Sequence, residues 1–110
     1  MKKLKDYVSK YSYNIEYDPD DNIFIARCAE LPTLAAHGDT QEKAFEEIKN
    51  VVCASLEWIE EDGESIPEPL SLQRFSGEFR VRMSPEIHRR IATEAKLQGV
   101  SMNQFILSKF

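Results

Sequence analysis

The sequence predicts an α+β chain: a small antiparallel β-sheet with one packed helix, in the order β-β-β-α, followed by a separate strand-helix-helix segment. Three observations carry this. Residues 11–17 alternate apolar and polar side chains, and a turn cluster separates them from a second strand-like run at 23–28. Residues 45–59 repeat apolar side chains at spacings of three and four. Residues 78–110 then present a short alternating strand and two capped helical stretches. With 110 residues and 42% hydrophobic side chains, the chain has room for one modest core and a small appendage.

In Tyr11-Ser-Tyr-Asn-Ile-Glu-Tyr17, Tyr11, Tyr13, Ile15 and Tyr17 alternate with Ser12, Asn14 and Glu16. Period two with aromatic and β-branched residues predicts a half-buried strand. Asp18-Pro-Asp-Asp-Asn22 is a turn cluster, and Ile23–Cys28 makes a hairpin with the first strand. Leu31-Pro32 ends that strand, and Leu34–His37 forms a short third one, closed by Gly38. Asp39 or Thr40 serves as N-cap for the following helix, and Asp39 with Glu42 has the acidic form of a capping box. Phe45, Ile48, Val52, Leu56 and Ile59 make its apolar stripe, opposite Glu42, Glu46, Lys49 and Glu57. The helix ends near Asp62-Gly63. Ile66-Pro-Glu-Pro69 is an extended exit, with a last edge strand as one form it can take, because proline drives its predecessor out of the helical region.

The C-terminal segment is expected to enter at Ser76-Gly77. In Glu78–Met83, Phe79, Val81 and Met83 point one way and Glu78, Arg80 and Arg82 the other. Ser84-Pro85 is an N-cap with proline at the first helical position. A helix over Pro85 to about Leu97 places Ile87, Ile91, Ala92 and Ala95 on one face. Gly99 stops it, and Ser101 with Gln104 completes a capping box for a second helix whose Met102, Phe105, Ile106 and Phe110 face inward. Such a segment buries too little surface to fold alone. A homodimer in which two Glu78–Met83 strands pair antiparallel supplies the missing partner, with a dimer core of Phe79, Val81, Met83, Ile87, Ile91, Phe105 and Ile106. A tetramer is the next assembly that contacts between N-terminal domains would allow.

Charge divides along the same line. Residues 1–76 hold 8 basic and 16 acidic side chains, net -8, whereas residues 77–110 hold 6 basic and 3 acidic, net +3. A polyanion therefore belongs at the C-terminal end. A two-stranded ribbon fits the DNA major groove and exposes Arg80 and Arg82 from both chains, and arginine bonds guanine O6 and N7 bidentately. Glu78 can accept from cytosine N4. The Ser101 helix start offers N–H groups to a phosphate. The rival is a solvated strand face used for dimerisation alone.

Other chemistry is sparse. His37 reads as a strand-end histidine rather than an acid–base residue. Asp18, Asp20 and Asp21 suit a hairpin turn and lack the ligand spacing of a calcium loop. Cys28 and Cys53 read as reduced, buried thiols, with no CxxC pair or histidine at zinc-ligand spacing. No metal, no cofactor and no catalytic residue is expected; the enzymatic alternative is a magnesium-dependent nuclease using Asp18, Glu30 or Asp39. No apolar run approaches a membrane span, and no signal-peptide core follows the basic N-terminus, so the expected location is cytoplasmic, without membrane contact.

Residues 78–110 resemble the ribbon-helix-helix (Arc/MetJ-like) DNA-binding domains, through Phe79-Arg-Val-Arg-Met83, Ser84-Pro85, Gly99 and Val100-Ser-Met-Asn103. The resemblance implies base reading by Glu78, Arg80 and Arg82, and phosphate binding by Ser101, Met102 and Asn103. Residues 11–69 resemble the HicB antitoxin family, through Tyr17-Asp-Pro-Asp-Asp-Asn-Ile-Phe-Ile-Ala-Arg27, Glu30-Leu-Pro32, His37-Gly-Asp-Thr40, Glu42-Lys-Ala44 and Ile66-Pro67. That likeness implies a partial RNase-H-like domain that binds and neutralises a HicA-like mRNA-cleaving toxin. It also implies repression of its own operon through operator DNA. The expected division is residues 1–70 for toxin binding, 71–77 as linker and 78–110 for DNA binding and dimerisation. The alternative is a stand-alone ribbon-helix-helix regulator without a toxin partner.

Overall fold

Helix α1 (Lys2–Lys10) opens a computed structural model that describes residues 2–110. The chain divides into two units, Met1–Arg74 and Phe75–Phe110. The first contains α1, strands β1 (Tyr13–Asp18), β2 (Ile23–Cys28) and β3 (Leu31–Gly38), and helix α2 (Gln41–Glu61). The second contains α3 (Pro85–Leu97) and α4 (Met102–Leu107).

Helix α1 corrects the expected strand start at Tyr11. Leu4, Val8 and Tyr11 are buried at helical spacing and pack in the same core as α2. The Lys10–Asp6 pair at 3.1 Å bridges one turn on the exposed side. Tyr11 follows the helix rather than leading the strand, and its N–H donates back to the Tyr7 carbonyl. Alternation over 11–17 masked this, because Tyr11 satisfies both periods at once.

The sheet is antiparallel in the order β1-β2-β3. The register pairs Tyr13 with Cys28, Ile15 with Ala26, Phe24 with Gly38 and Ala26 with Ala36. Alternation therefore puts Tyr13, Ile15, Phe24, Ala26, Cys28 and Ala36 on the face that packs on the helices. Asn14, Glu16, Ile25, Arg27, Ala35 and His37 lie on the other face. Pro32, expected to break the chain, instead lies inside β3. That strand is at the sheet edge, where a missing N–H can face solvent, and the ladder shifts register at Arg27/Cys28 beside it.

Helix α2 buries Ala44, Ile48, Val52 and Leu56 against the sheet. Its N-cap is Thr40, whose side chain accepts from the Lys43 N–H at 3.1 Å; Asp39 does not take this role. Gly38 must be glycine for a different reason. A Cβ there would lie 2.5 Å from the Ala44 nitrogen, so the end of β3 passes against the first turn of α2. Both long helices end alike. Gly63 (φ +74°) and Gly99 (φ +71°) follow α2 and α3, and in each case three successive N–H groups close back on the last turn.

Residues 66–69 form no strand. They run extended across the first unit, where Pro69 is fully buried and the Tyr11 hydroxyl donates to the Pro67 carbonyl at 2.6 Å. A single 3₁₀ turn follows at Leu70–Leu72. Residues 78–83 likewise carry no strand pairing within the chain. Nothing in unit 2 offers them a second strand, and a lone strand has no ladder to join.

Candidate functional site: the exposed face of the second unit

The second unit starts from strong local signals. Ser84 Oγ accepts from the Ile87 N–H at 3.2 Å, Pro85 occupies the first turn, and α3 follows over the predicted range. Ser101 and Gln104 form a complete capping box, with Ser101 N–H donating to Gln104 Oε1 and Gln104 N–H to Ser101 Oγ, each at 3.0 Å. These caps satisfy helix-start donors that would otherwise need solvent or a ligand.

Packing is much thinner than capping. In this unit the buried apolar residues are Ala95 and Phe105. Of the expected dimer core, Phe79 is 88% exposed and Val81 57%, with Met83, Ile87 and Ile106 also exposed; Ile91 is half-buried and Phe105 buried. Met102 and Phe110, expected to face inward in the dimer, have no cover within the single chain. Met102 is exposed, and Phe110 lies past the end of α4 in full solvent. One pair of short helices leaves only a narrow seam, and Phe105 fills it. Ile87, Ile91 and Phe105, with Arg90 and Glu94, line a shallow hollow beside that seam.

Glu78, Arg80 and Arg82 lie on the extended segment, all exposed. Among the described residues neither arginine is in an ion pair. Ser101, Met102 and Asn103 sit at the α4 start, where the Ser101 N–H is already taken by Gln104 and the capping box leaves those of Met102 and Asn103 out. The structure thus places the two predicted groups on separate elements of one unit.

In the first unit the three carboxylates of the nuclease alternative do not converge. Asp18 and Asp39 flank the sheet end where Ile23 begins β2, while Glu30 sits in the turn at the opposite end. Asp18 Oδ1 accepts from the Asp20 N–H at 3.0 Å, a turn-forming role, and Tyr17 donates to Asn22 Oδ1 where Asn22 takes φ +54°. Among the described residues, no group of three His, Cys, Asp or Glu side chains could hold a metal ion. His37 is exposed on the uncovered sheet face, beside a groove shared with Asp39, Glu42 and Lys43.

Glu30 has a role the sequence did not disclose. Its two oxygens accept from the Ser12 and Leu70 N–H groups, each at 2.9 Å, and Oε1 also receives the Cys28 thiol at 3.6 Å. One carboxylate therefore ties the start of β1 to the exit strap. Burial pushes the Cys28 thiol up from its ordinary pKa, with the Glu30 charge adding to the effect. Both cysteines are free; Cys28 is buried and Cys53 half-buried. Among the described residues, no helix is long and apolar enough to cross a membrane.

Residues 57–109 match the model of the HicB family. The match covers the end of α2, the exit strap and nearly all of unit 2, and shares only residues 57–69 with the stretch whose motifs resemble that family. No curated protein and no solved structure matches the chain. Over residues 57–109, a little under half of the chain, the sequence is similar to the HicB family.

Proposed function

We propose that the chain is an antitoxin of a type II toxin–antitoxin pair. In this reading the acidic first unit binds and neutralises a HicA-like, mRNA-cleaving toxin. The second unit dimerises through its Glu78–Met83 strands, as a ribbon-helix-helix, and represses its own operon. The observation that carries the reading is the HicB family match, which suggests a toxin–antitoxin-related role. Two features support the finer parts. The net charge of -8 over residues 1–76 suits a partner that must itself hold RNA, and long-range attraction would speed their encounter. The solvent-exposed Phe79, Val81, Ile87 and Ile106 form an apolar set that a second copy would cover, leaving Arg80 and Arg82 outward for base readout and Glu78 beside them. Ser101, Met102 and Asn103 would hold a phosphate and fix the register of the ribbon on the duplex. No catalytic step is assigned to the chain itself.

A stand-alone regulator is the second reading, favoured by the location of the family match, most of which falls on the second unit.

Fluorescence anisotropy with DNA from upstream of the gene tests the shared part of both readings. Wild type should bind that DNA over scrambled DNA with strong salt dependence, and Arg80→Ala/Arg82→Ala should lose the preference. Equal binding to both DNAs would reduce the second unit to a dimerisation clamp. Growth rescue on co-expression with a HicA-like toxin separates the two readings: rescue supports the antitoxin, and its absence leaves the regulator.

A further inference from the structure

We infer that the C-terminal end of α2 is a docking surface for an arginine-bearing segment of a protein partner, with Trp58 as its central contact. The inference deepens the antitoxin reading by naming a surface for the basic partner, and it rests on that reading for the partner's identity.

Trp58 is the chain's one tryptophan and is 74% exposed, the most exposed large apolar side chain of the first unit. Its helix does not need it there. The core face of α2 is already filled by Ala44, Ile48, Val52 and Leu56. An indole left in water gives up the burial that makes tryptophan valuable in cores, and tryptophan is the residue type most enriched at energetically dominant contacts.

Charge says what would cover it. Glu57, Glu60, Glu61, Asp62 and Glu64 surround Trp58 in sequence, and all five are exposed. None is in an ion pair among the described residues. No Lys or Arg occurs between Lys49 and Arg74, and the last turn of α2 holds no basic residue. The helix dipole is negative at this end, so the carboxylates sit where helix stability disfavours them. Glu61 and Asp62 lie three and four residues on, at the spacing that shares the Trp58 face, and an exposed ring beside uncompensated carboxylates matches a guanidinium: the cation stacks on the ring while its N–H groups pair with carboxylates. The same charge repels nucleic acid and anionic lipid.

The test uses the full chain and a fluorescein-labelled peptide alternating Arg and Leu, with a Glu-Leu peptide as control. Trp58 emission should move to the blue on saturation with the arginine peptide and stay unchanged with the control. Trp58→Ala should weaken peptide binding about tenfold, Trp58→Phe should retain most of it, and Glu57→Gln/Glu60→Gln/Glu61→Gln should weaken it and flatten its salt dependence. Unchanged emission at saturation, or equal affinity for Trp58→Ala and wild type, overturns the inference. The side chain is exposed, so the circular dichroism spectrum should survive the substitution; if Trp58→Ala misfolds, the emission shift and Trp58→Phe decide. Failure of the antitoxin reading shows elsewhere, as absence of growth rescue while the peptide still binds.

Discussion

In the first unit, one long helix lays Ala44, Ile48, Val52 and Leu56 on a three-stranded sheet, and all four are buried. In the second, two well-capped helices bury Ala95 and Phe105 and leave Phe79, Val81 and Ile87 in solvent. Helices in both units carry side-chain N-caps, so capping does not explain the difference in burial. The number of apolar layers does: the first unit has a sheet to pack against, and the second has only a seam between short helices. Good helix ends fix where elements lie, while stability comes from what their faces meet.

The largest expected effect tests that contrast directly. Leu56→Ala should cost the first unit about 2–5 kcal/mol, since Leu56 is fully buried and its removal leaves a cavity in a closed core. Urea unfolding followed by circular dichroism reads this as a lowered midpoint that does not depend on protein concentration. Phe79→Ala should behave in the opposite way. In a single chain its ring is in solvent, so truncation costs little there; in the proposed dimer it removes a core contact. Sedimentation should then show a weaker dimer, and the melting temperature of the second unit should rise with concentration in wild type. A second unit whose melting is independent of concentration would break the comparison.

Glu30→Ala comes next. Two backbone N–H groups at 2.9 Å lose their acceptor, which costs about 1–3 kcal/mol when such donors cannot rehydrate fully. The loss should fall on the first unit and free the strap at Leu70, seen as faster amide exchange at Ser12 and Leu70. Glu30→Gln keeps an acceptor and should recover part of the protection.

The first unit also carries a pH signature. The Tyr11 hydroxyl, donating to Pro67 from a buried position, has its pKa pushed up to about 12, chiefly by burial. Tyr13, donating to the Val8 carbonyl at 2.6 Å, is also raised, for the same first cause. A raised folded pKa means that the protonated hydroxyl is the form the fold holds. That contribution is complete below the ordinary tyrosine value near 10 and is lost as pH rises from there through about 12. Unfolding midpoints of the first unit should therefore fall between about pH 10 and about 12, and Tyr11→Phe should flatten the fall.

Most of the element order was legible because period and punctuation agreed. Phe45 through Ile59 fixed α2, and Ser84-Pro85, Gly99 and Ser101-Gln104 bounded α3 and α4. Helix α1 is hidden in the sequence although Leu4, Tyr7, Val8 and Tyr11 fall at helical spacing, because Tyr11 also begins an alternating run that follows a short, lysine-rich turn. Pro32 looks like a breaker in the sequence because edge position is a property of the whole sheet, not of the dipeptide. For the candidate site, the sequence located Glu78, Arg80 and Arg82 on an alternating segment, but their pairing depends on a second chain. Glu30 was invisible for a related reason: its partners Ser12 and Leu70 lie 18 and 40 residues away.

The smallest effects make the finest comparison, because the same chemistry caps one helix in each unit. Thr40 accepts from Lys43 at the start of α2, and Ser101 accepts from Gln104 at the start of α4. Replacing either by alanine should cost about 1 kcal/mol. In the first unit that loss is spread over a 21-residue helix packed on a sheet, so Thr40→Ala should lower the unfolding midpoint slightly and change nothing else. Helix α4 has only 6 residues, and its Ser101 cap also holds the reciprocal Gln104 contact. Ser101→Ala should therefore fray α4, release Phe105 from its seam and weaken dimerisation along with stability. If the two substitutions lower only their own unit's midpoint by similar amounts, and dimerisation is unaffected, then the second unit holds its helix pair without a partner, and the contrast between a closed core and an open one is smaller than the packing implies.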